Sequence, residues 1–233
     1  MKDIYVYPGT NILINLRDIK NQDDLDDFES AMVALALVKL QNEVIIVESI
    51  KDLLNIHKSM FLNVYDWAGE TRKINKSRPE LVLNDLSVEY EDYKSIPEEL
   101  KKLNEQLLSI KWSTLDKTTF IKNLVLVISR LWQIHPFREG NTRTVTFFMY
   151  LHLKKYGFTL NQDFISIHAK YFRNALVLAS IGEYSEYIHL ESILLDSIDP
   201  NTEDLKDLEK YKTIKGYDLK NYKYNYHTEK SKK

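Results

Sequence analysis

Apolar residues recur every three or four positions along most of the chain, which is the spacing of amphipathic helices. The run at 115–134 is the most apolar, and its hydrophobic residues cover more than one side. A helix of that kind normally lies at the centre of its bundle. The pattern as a whole predicts helices over residues 23–40, 47–61, 97–108, 115–134, 141–156, 167–181 and 184–197.

Three stretches break this helical pattern. Residues 1–20 predict an irregular arm rich in turn formers. Residues 70–95 begin polar and basic and then carry short apolar runs around Asn84 and Asp85, which is typical of a small β-hairpin; we call 70–95 the flap. From residue 199 onward the apolar pattern fades into a lysine- and tyrosine-rich stretch. There we expect a short docked helix followed by a solvated tail.

The composition agrees with a helical domain and excludes several classes of protein. Only 6 glycines and 5 prolines among 233 residues favour long elements, and hence an all-α fold with one small hairpin. The absence of cysteine excludes a disulfide scaffold, a thiol nucleophile and a thiolate metal site. A net charge of -2 argues against a dedicated nucleic-acid binder.

The sequence also predicts no membrane partner. No stretch reaches the roughly 18 apolar residues that a spanning helix needs. The first residues lack the basic start and apolar centre of a signal peptide. We therefore expect a cytoplasmic protein, unless a dedicated system secretes it.

Candidate chemistry concentrates in residues 135–144, His-Pro-Phe-Arg-Glu-Gly-Asn-Thr-Arg-Thr, here called the motif segment. It leads from the most apolar helix into the next one, whose first N–H groups favour an anion. Arg143 adds a forked positive charge, and Glu139 is the kind of ligand that Mg²⁺ shares with phosphates. His135 has an ordinary pKa near ~6.5, which suits a general base. Together these are the parts of a phosphoryl or nucleotidyl transfer site.

The same residues have a simpler interpretation. A His-Pro pair usually ends a helix, and Glu-Gly-Asn-x-Arg is a common capped helix start. The spacing by itself leaves both interpretations open. The other histidines lack the spacing of zinc ligands, so we expect them in core or surface roles.

The motif segment resembles the signature of Fic-domain proteins, His-x-Phe-x-(Asp/Glu)-Gly-Asn-Gly-Arg-x-x-Arg, which usually transfer AMP from ATP to a protein hydroxyl. The matching residues are His135, Phe137, Glu139, Gly140, Asn141 and Arg143. Residues 5–10 and 64–69, with Arg72, also resemble the family. The resemblance implies a Fic domain over 1–198 and a separate C-terminal extension over 199–233.

The resemblance further implies a role for each residue of the site. His135 would be the catalytic base, and Glu139 would hold Mg²⁺ against the phosphates of ATP. The remaining implied ligands of the nucleotide are the N–H groups of Gly140 and Thr142, the side-chain amide of Asn141 and the charge of Arg143. Phe137 would lock the loop into the core, and residues 74–88 of the flap would clamp the target by strand addition.

Two further residues, Tyr171 and Asn174, lie one turn apart on a predicted helix. By the resemblance they would line an adenosine pocket. Ordinary packing within the helical bundle explains the same two positions equally well, so both interpretations stay open.

The chain departs from the signature at two positions. Thr142 replaces the second glycine, which predicts a changed groove shape with the N–H group retained. Thr146 replaces the last arginine and removes a cation that normally steadies the γ-phosphate. These departures leave open a related transfer, of phosphate or phosphocholine. Kinase-like relatives, however, carry lysine where this chain has Thr142.

Regulation is expected to differ from that of many relatives. Those proteins are silenced by a helix with (Ser/Thr)-x-x-x-Glu-(Gly/Asn), whose glutamate pairs with the last arginine. In the nearest match, residues 30–35, Ala34 occupies the place of the glutamate. We therefore expect no self-inhibition of this kind, and a separate inhibitor protein is an alternative.

The expected function is protein adenylylation from Mg²⁺-ATP on a Tyr, Thr or Ser hydroxyl. With 15 tyrosines, the chain is also a candidate for self-modification. A homodimer through a helix face is the default assembly. The alternatives are a nucleotide-sensing or toxin–antitoxin module with weak turnover, and a Fic relative with another transferred group.

Overall fold

The computed structural model describes residues 3–43 and 45–198, together with Tyr217 and Leu219. The elements are α1 (Gln22–Asn42), α2 (Lys51–Phe61), β1 (Pro79–Glu80), β2 (Leu86–Ser87), α3 (Ile96–Ser109), α4 (Lys117–Ile134), α5 (Asn141–Lys155), α6 (Gln162–Ile167), α7 (Ala169–Leu178) and α8 (Ile188–Ser197). The expected all-α fold with one small hairpin is confirmed. The helix and tail expected beyond residue 198 lie outside the described residues, apart from those two positions.

Helix α4 forms the centre of the bundle, as its apolar pattern predicts. It packs against α3, α5, α7 and α8. Nine of its apolar side chains are at most 1% exposed, and Leu126 is the exposed exception at 41%; the nine are Phe120, Ile121, Leu124, Val125, Val127, Ile128, Leu131, Trp132 and Ile134. No helix in the described residues, α4 included, has the length and apolarity needed to cross a membrane.

Helix α2 begins later than predicted, at Lys51 rather than at residue 47. The reason is local, because the Asp52 carboxylate accepts hydrogen bonds from the N–H groups of Glu48 (2.9 Å) and Ser49 (2.8 Å). Those bonds hold the preceding residues in a turn and satisfy donors that a helix start leaves unpaired.

The predicted helix at 167–181 was wrong at its start. The chain forms two helices there, α6 and α7, which meet at His168. Asn161 caps α6, since its side-chain oxygen accepts a hydrogen bond from the Phe164 N–H at 2.9 Å. Residues 162–166, which lie between two predicted helices, therefore belong to α6.

The flap contains the expected hairpin. Strands β1 and β2 pair antiparallel, with Pro79 opposite Ser87. The turn includes Asn84 and Asp85 at positive φ angles of 54° and 65°, a conformation that Asn and Asp tolerate better than most residues. Val82, Leu83 and Val88 are buried, whereas Leu81 and Leu86 are exposed, so the flap packs onto the domain through only some of its apolar residues.

The N-terminal arm lies against the motif segment. The Tyr5 ring is buried and meets Trp67 edge-on, with 5.5 Å between the ring centroids. Asp3 forms an ion pair of 2.7 Å with Arg138. The arm thereby links the start of the chain to the loop between α4 and α5.

Candidate active site

His135 ends α4 in a left-handed conformation, with φ of 50° and ψ of 59°. That conformation costs a residue other than glycine about 1–2 kcal/mol. Arg72, only 1% exposed, offsets the cost by donating from Nε to the His135 carbonyl at 2.8 Å. The backbone N–H of Arg72 donates to the Pro136 carbonyl at 2.7 Å. A buried guanidinium thus holds the loop through backbone carbonyls.

The His135 ring is held in one tautomer. Its Nδ1 lies 3.2 Å from the Trp132 carbonyl, which can only accept, so Nδ1 carries the proton and Nε2 is free. The ring stacks on Tyr90 with 3.9 Å between centroids. Burial lowers the pKa of His135 well below its usual range, and the positive charge of Lys76 acts in the same direction. The ring is therefore neutral at pH 7 and can accept a proton at Nε2.

A second histidine, His57 of α2, packs against the motif segment on its core side. Its ring stacks on the buried Phe137 ring with centroids 3.7 Å apart. Its Nδ1 accepts from the Gly69 N–H at 2.8 Å, and its Nε2 donates to the Glu139 carbonyl at 3.1 Å. Burial lowers the pKa of His57 to about 4, so it stays neutral. The expected core role of this histidine includes fixing the motif segment.

Both the oxygen and the nitrogen of the Asn141 side-chain amide form hydrogen bonds with the backbone of the loop. Its oxygen accepts from the Phe137 N–H at 2.9 Å, and its amide donates to the Phe137 carbonyl at 2.8 Å. It is 3% exposed. The amide shapes the loop, and its role as a phosphate ligand stays a prediction.

Gly140 is the N-cap of α5 and adopts a φ of 79°. A Cβ atom at this position would lie 2.3 Å from Cζ of Phe61, so only glycine fits. The first backbone hydrogen bond of α5 is donated by Thr144 to the Gly140 carbonyl at 3.0 Å. The Gly140 N–H donates to the Glu139 carboxylate at 3.0 Å, so the N–H groups of residues 141–143 are the helix-start donors that favour an anion.

The two threonines that depart from the signature lie in different places. Thr142 Oγ accepts a hydrogen bond of 3.0 Å from the Trp132 indole, which links α4 to α5 at the rim of the site. Thr146 lies one turn further along, in an apolar cavity of about 320 Å³ that Thr142 and Arg143 also line.

Arg143 is already paired with an acidic residue that the sequence analysis did not single out. Its guanidinium lies 2.6 Å from Glu29 of α1 and 3.8 Å from Glu139. Glu29 also accepts a hydrogen bond from the Tyr65 hydroxyl. Ala34, by contrast, is exposed on the same helix. No sequence signal marks Glu29, because the contact forms only when α1 packs beside α5.

Glu139 is partly exposed and ionised. Burial by itself would raise the pKa of this carboxyl, but Lys76, the Gly140 N–H and Arg143 hold it below its usual value. One carboxylate beside a helix N-terminus fits Mg²⁺, which takes one or two carboxylates and completes its shell with phosphate oxygens and water. Among residues 3–43 and 45–198, no cluster of three His, Asp or Glu forms an alternative metal site.

These residues surround one cavity of about 180 Å³, here called the anion cavity. Its lining residues are Lys76, Ser77, Arg78, Tyr90, Trp132, His135, Glu139, Gly140, Asn141, Thr142, Arg143 and Arg173. The predicted catalytic, metal-binding and nucleotide-binding residues of the motif segment are brought together here, while Phe137 lies in the core beneath them. The cations from the flap and from α7 carry no sequence signal, because they approach from distant segments.

Tyr171 and Asn174 line neither of the two cavities. The Tyr171 hydroxyl lies 3.1 Å from Nδ1 of His189, and its ring meets Tyr217 edge-on at 4.8 Å. Tyr171 is thus packed toward α8. The adenosine-binding role of both residues stays a prediction.

Comparison with known proteins shows close relatives. A family model described as Fic/DOC matches residues 48–153. The probable protein adenylyltransferase y4lH of Sinorhizobium fredii is 30% identical over 186 residues, or 78% of this chain and 91% of its own length. Protein adenylyltransferase VbhT of Bartonella schoenbuchensis is 29% identical over 83% of this chain, which spans only 38% of that protein.

A solved structure supports the same relationship. BepC of Bartonella tribocorum, a VirB-translocated effector crystallised with AMPPNP, has a TM-score of 0.70 and 25% identity, covering 84% of this chain and 96% of its own. The shared fold extends well beyond the motif segment, and one relative matches most of both sequences at 30% identity. This chain therefore belongs to the Fic/DOC family.

Proposed function

We propose that this chain is a protein adenylyltransferase that transfers AMP from Mg²⁺-ATP to a side-chain hydroxyl of a protein. The observation that carries the proposal is the anion cavity, where a neutral imidazole, an ionised carboxylate and the start of α5 meet. The relatives named protein adenylyltransferases support the reaction type, and the AMPPNP bound to BepC supports an adenine nucleotide as donor.

In the proposed reaction, the target hydroxyl oxygen forms a bond to the α-phosphorus of ATP. The bond between that phosphorus and the bridging oxygen of pyrophosphate breaks, and the hydroxyl proton passes to Nε2 of His135. The Trp132 carbonyl keeps the proton on Nδ1, so Nε2 is the only ring atom able to accept. The N–H groups at the start of α5 stabilise the negative charge that develops on the phosphoryl oxygens.

Glu139 is the residue that would hold Mg²⁺. When bound, the ion supplies positive charge that neutralises the phosphates. Arg143 would add charge to the same phosphates after it leaves Glu29.

The proposed targets are Tyr, Thr or Ser side chains, including those of the protein itself. Self-modification draws support from the 15 tyrosines of the chain. Among the five tyrosines after residue 199, Tyr217 lies in the described part, and its hydroxyl donates to Asp196.

Incubation with Mg²⁺ and either α-³²P-ATP or γ-³²P-ATP tests the proposal, with His135→Ala as the control. We expect protein-bound label from the α-phosphate only, and none with the variant. Label from the γ-phosphate would show phosphoryl transfer instead. Nucleotide binding without label on the protein itself or on proteins of a cell lysate would favour the sensing module.

A further inference from the structure

Lys76 lies in the flap, before its first strand, and lines the anion cavity with His135 and Glu139. Its side chain is partly buried. Within the described residues its Nζ donates one hydrogen bond, of 2.5 Å, to the Arg138 carbonyl. An ammonium group has three donors, so two of them remain available to a ligand.

Lys76 also differs from several arginines near the cavity, because no carboxylate lies within ion-pair distance of its ammonium group, although the charge of Glu139 acts on it from farther away. Three of those arginines contact a carboxylate: the pairs are Arg138–Asp3 at 2.7 Å, Arg143–Glu29 at 2.6 Å and Arg173–Glu80 at 2.7 Å. In the part of the chain that the structure describes, Lys76 forms no ion pair. Partial burial of an ammonium group without a carboxylate in contact costs free energy, so an anionic ligand beside Lys76 would stabilise it.

A second group in the cavity lacks a partner. Tyr90 lines the same cavity, and its hydroxyl is buried without a hydrogen-bond partner among the described residues. An unpaired ammonium, an unpaired hydroxyl and the first N–H groups of α5 are all donors. Phosphoryl oxygens, which carry charge and only accept, complement all three.

We propose that Lys76 binds a phosphoryl oxygen of the nucleotide and brings a positive charge to the phosphates from the flap, in a chain whose signature carries Thr146 in place of its last arginine. This inference rests on the proposed function. It places one phosphate ligand of this protein outside the motif segment, on the segment that also forms the flap.

Calorimetric titration with ATP, ADP and adenosine in metal-free buffer tests the proposal. Lys76→Met should weaken ATP and ADP binding about 10-fold or more and leave adenosine binding unchanged, because a charge-assisted hydrogen bond is lost. Lys76→Arg should recover most of the affinity. Lys73→Met is the matched control, since Lys73 is 65% exposed and pairs with Glu70 at 3.0 Å.

The outcomes separate this inference from the proposed function. Equal ATP affinity of Lys76→Met and the wild type would overturn the role of Lys76 and leave the proposed function standing. Equal weakening of ATP and adenosine would also overturn it, because that pattern indicates general damage to the fold. A wild-type protein that binds neither ATP nor ADP, with or without Mg²⁺, would refute the proposed function and this inference together.

Discussion

Replacing Gly140 with alanine tests how tightly the motif segment is built. Two costs arise at this position. The φ of 79° disfavours any residue with a Cβ by about 1–2 kcal/mol. The new Cβ would also lie 2.3 Å from Cζ and 2.4 Å from Cε2 of Phe61, a ring that is fully buried and cannot move freely. Such overpacking costs about 1–3 kcal/mol.

The chain offers a matched control in Gly157, at the end of α5. It has a φ of 83°, and a Cβ there would meet nothing within 4 Å. Gly157→Ala therefore carries the backbone cost alone. Subtracting its effect from that of Gly140→Ala isolates the contact with Phe61, for which we expect about 1–3 kcal/mol.

Urea unfolding at pH 7.5 measures both variants, because each midpoint converts to a free energy of unfolding through the slope of the transition. Adding Phe61→Leu should make Gly140→Ala less harmful than in the wild-type background, and a double-mutant cycle reports that coupling. Equal destabilisation by the two alanine variants would refute the reasoning. It would mean that the loop shifts away from Phe61 without energetic cost.

Changes on α1 and α5 give three further expectations. Glu29→Gln should strengthen ATP binding about 5-fold in calorimetry, because an ion pair worth about 1 kcal/mol no longer competes for Arg143; weaker binding would show that Glu29 positions the arginine instead. Ala34→Glu should leave AMP labelling unchanged, since Thr146 offers no charge to pair with, and a collapse in labelling would contradict this. Between pH 7.5 and pH 5, the free energy of unfolding of the wild type should fall by about 2 kcal/mol more than that of His152→Leu. Burial lowers the folded pKa of this histidine to about 4 from about 6.5, so its contribution is complete above pH 6.5 and disappears toward pH 4; urea midpoints at both pH values check it.

The helices were predictable because their causes are local. The apolar period of 115–134 places α4 at the centre, and His135-Pro136 marks where it ends. The errors have local causes too. Asn161 is a cap visible in the sequence, and giving it more weight than the apolar period would have corrected the start of α6. Asp52, in the first turn of α2, binds the N–H groups of two residues before the helix and so keeps them out of it.

The site was predictable only where its parts are contiguous. His135, Glu139, Gly140 and Arg143 lie within nine residues of each other, so one loop and one helix start bring them together. Even there, the sequence does not show that Asn141 binds its own loop through both ends of its amide.

The tertiary structure decided which distant side chains complete the site. Glu29, Lys76 and Arg173 come from three separate segments, and no period or spacing connects them to the motif segment. Their positions depend on how helices pack across the core, which is a property of the whole chain. The sequence by itself therefore determined the helices, the reactive loop and the family resemblance. Packing determined which charged side chains surround the motif segment, because their ion pairs and their burial depend on neighbours that are distant in sequence.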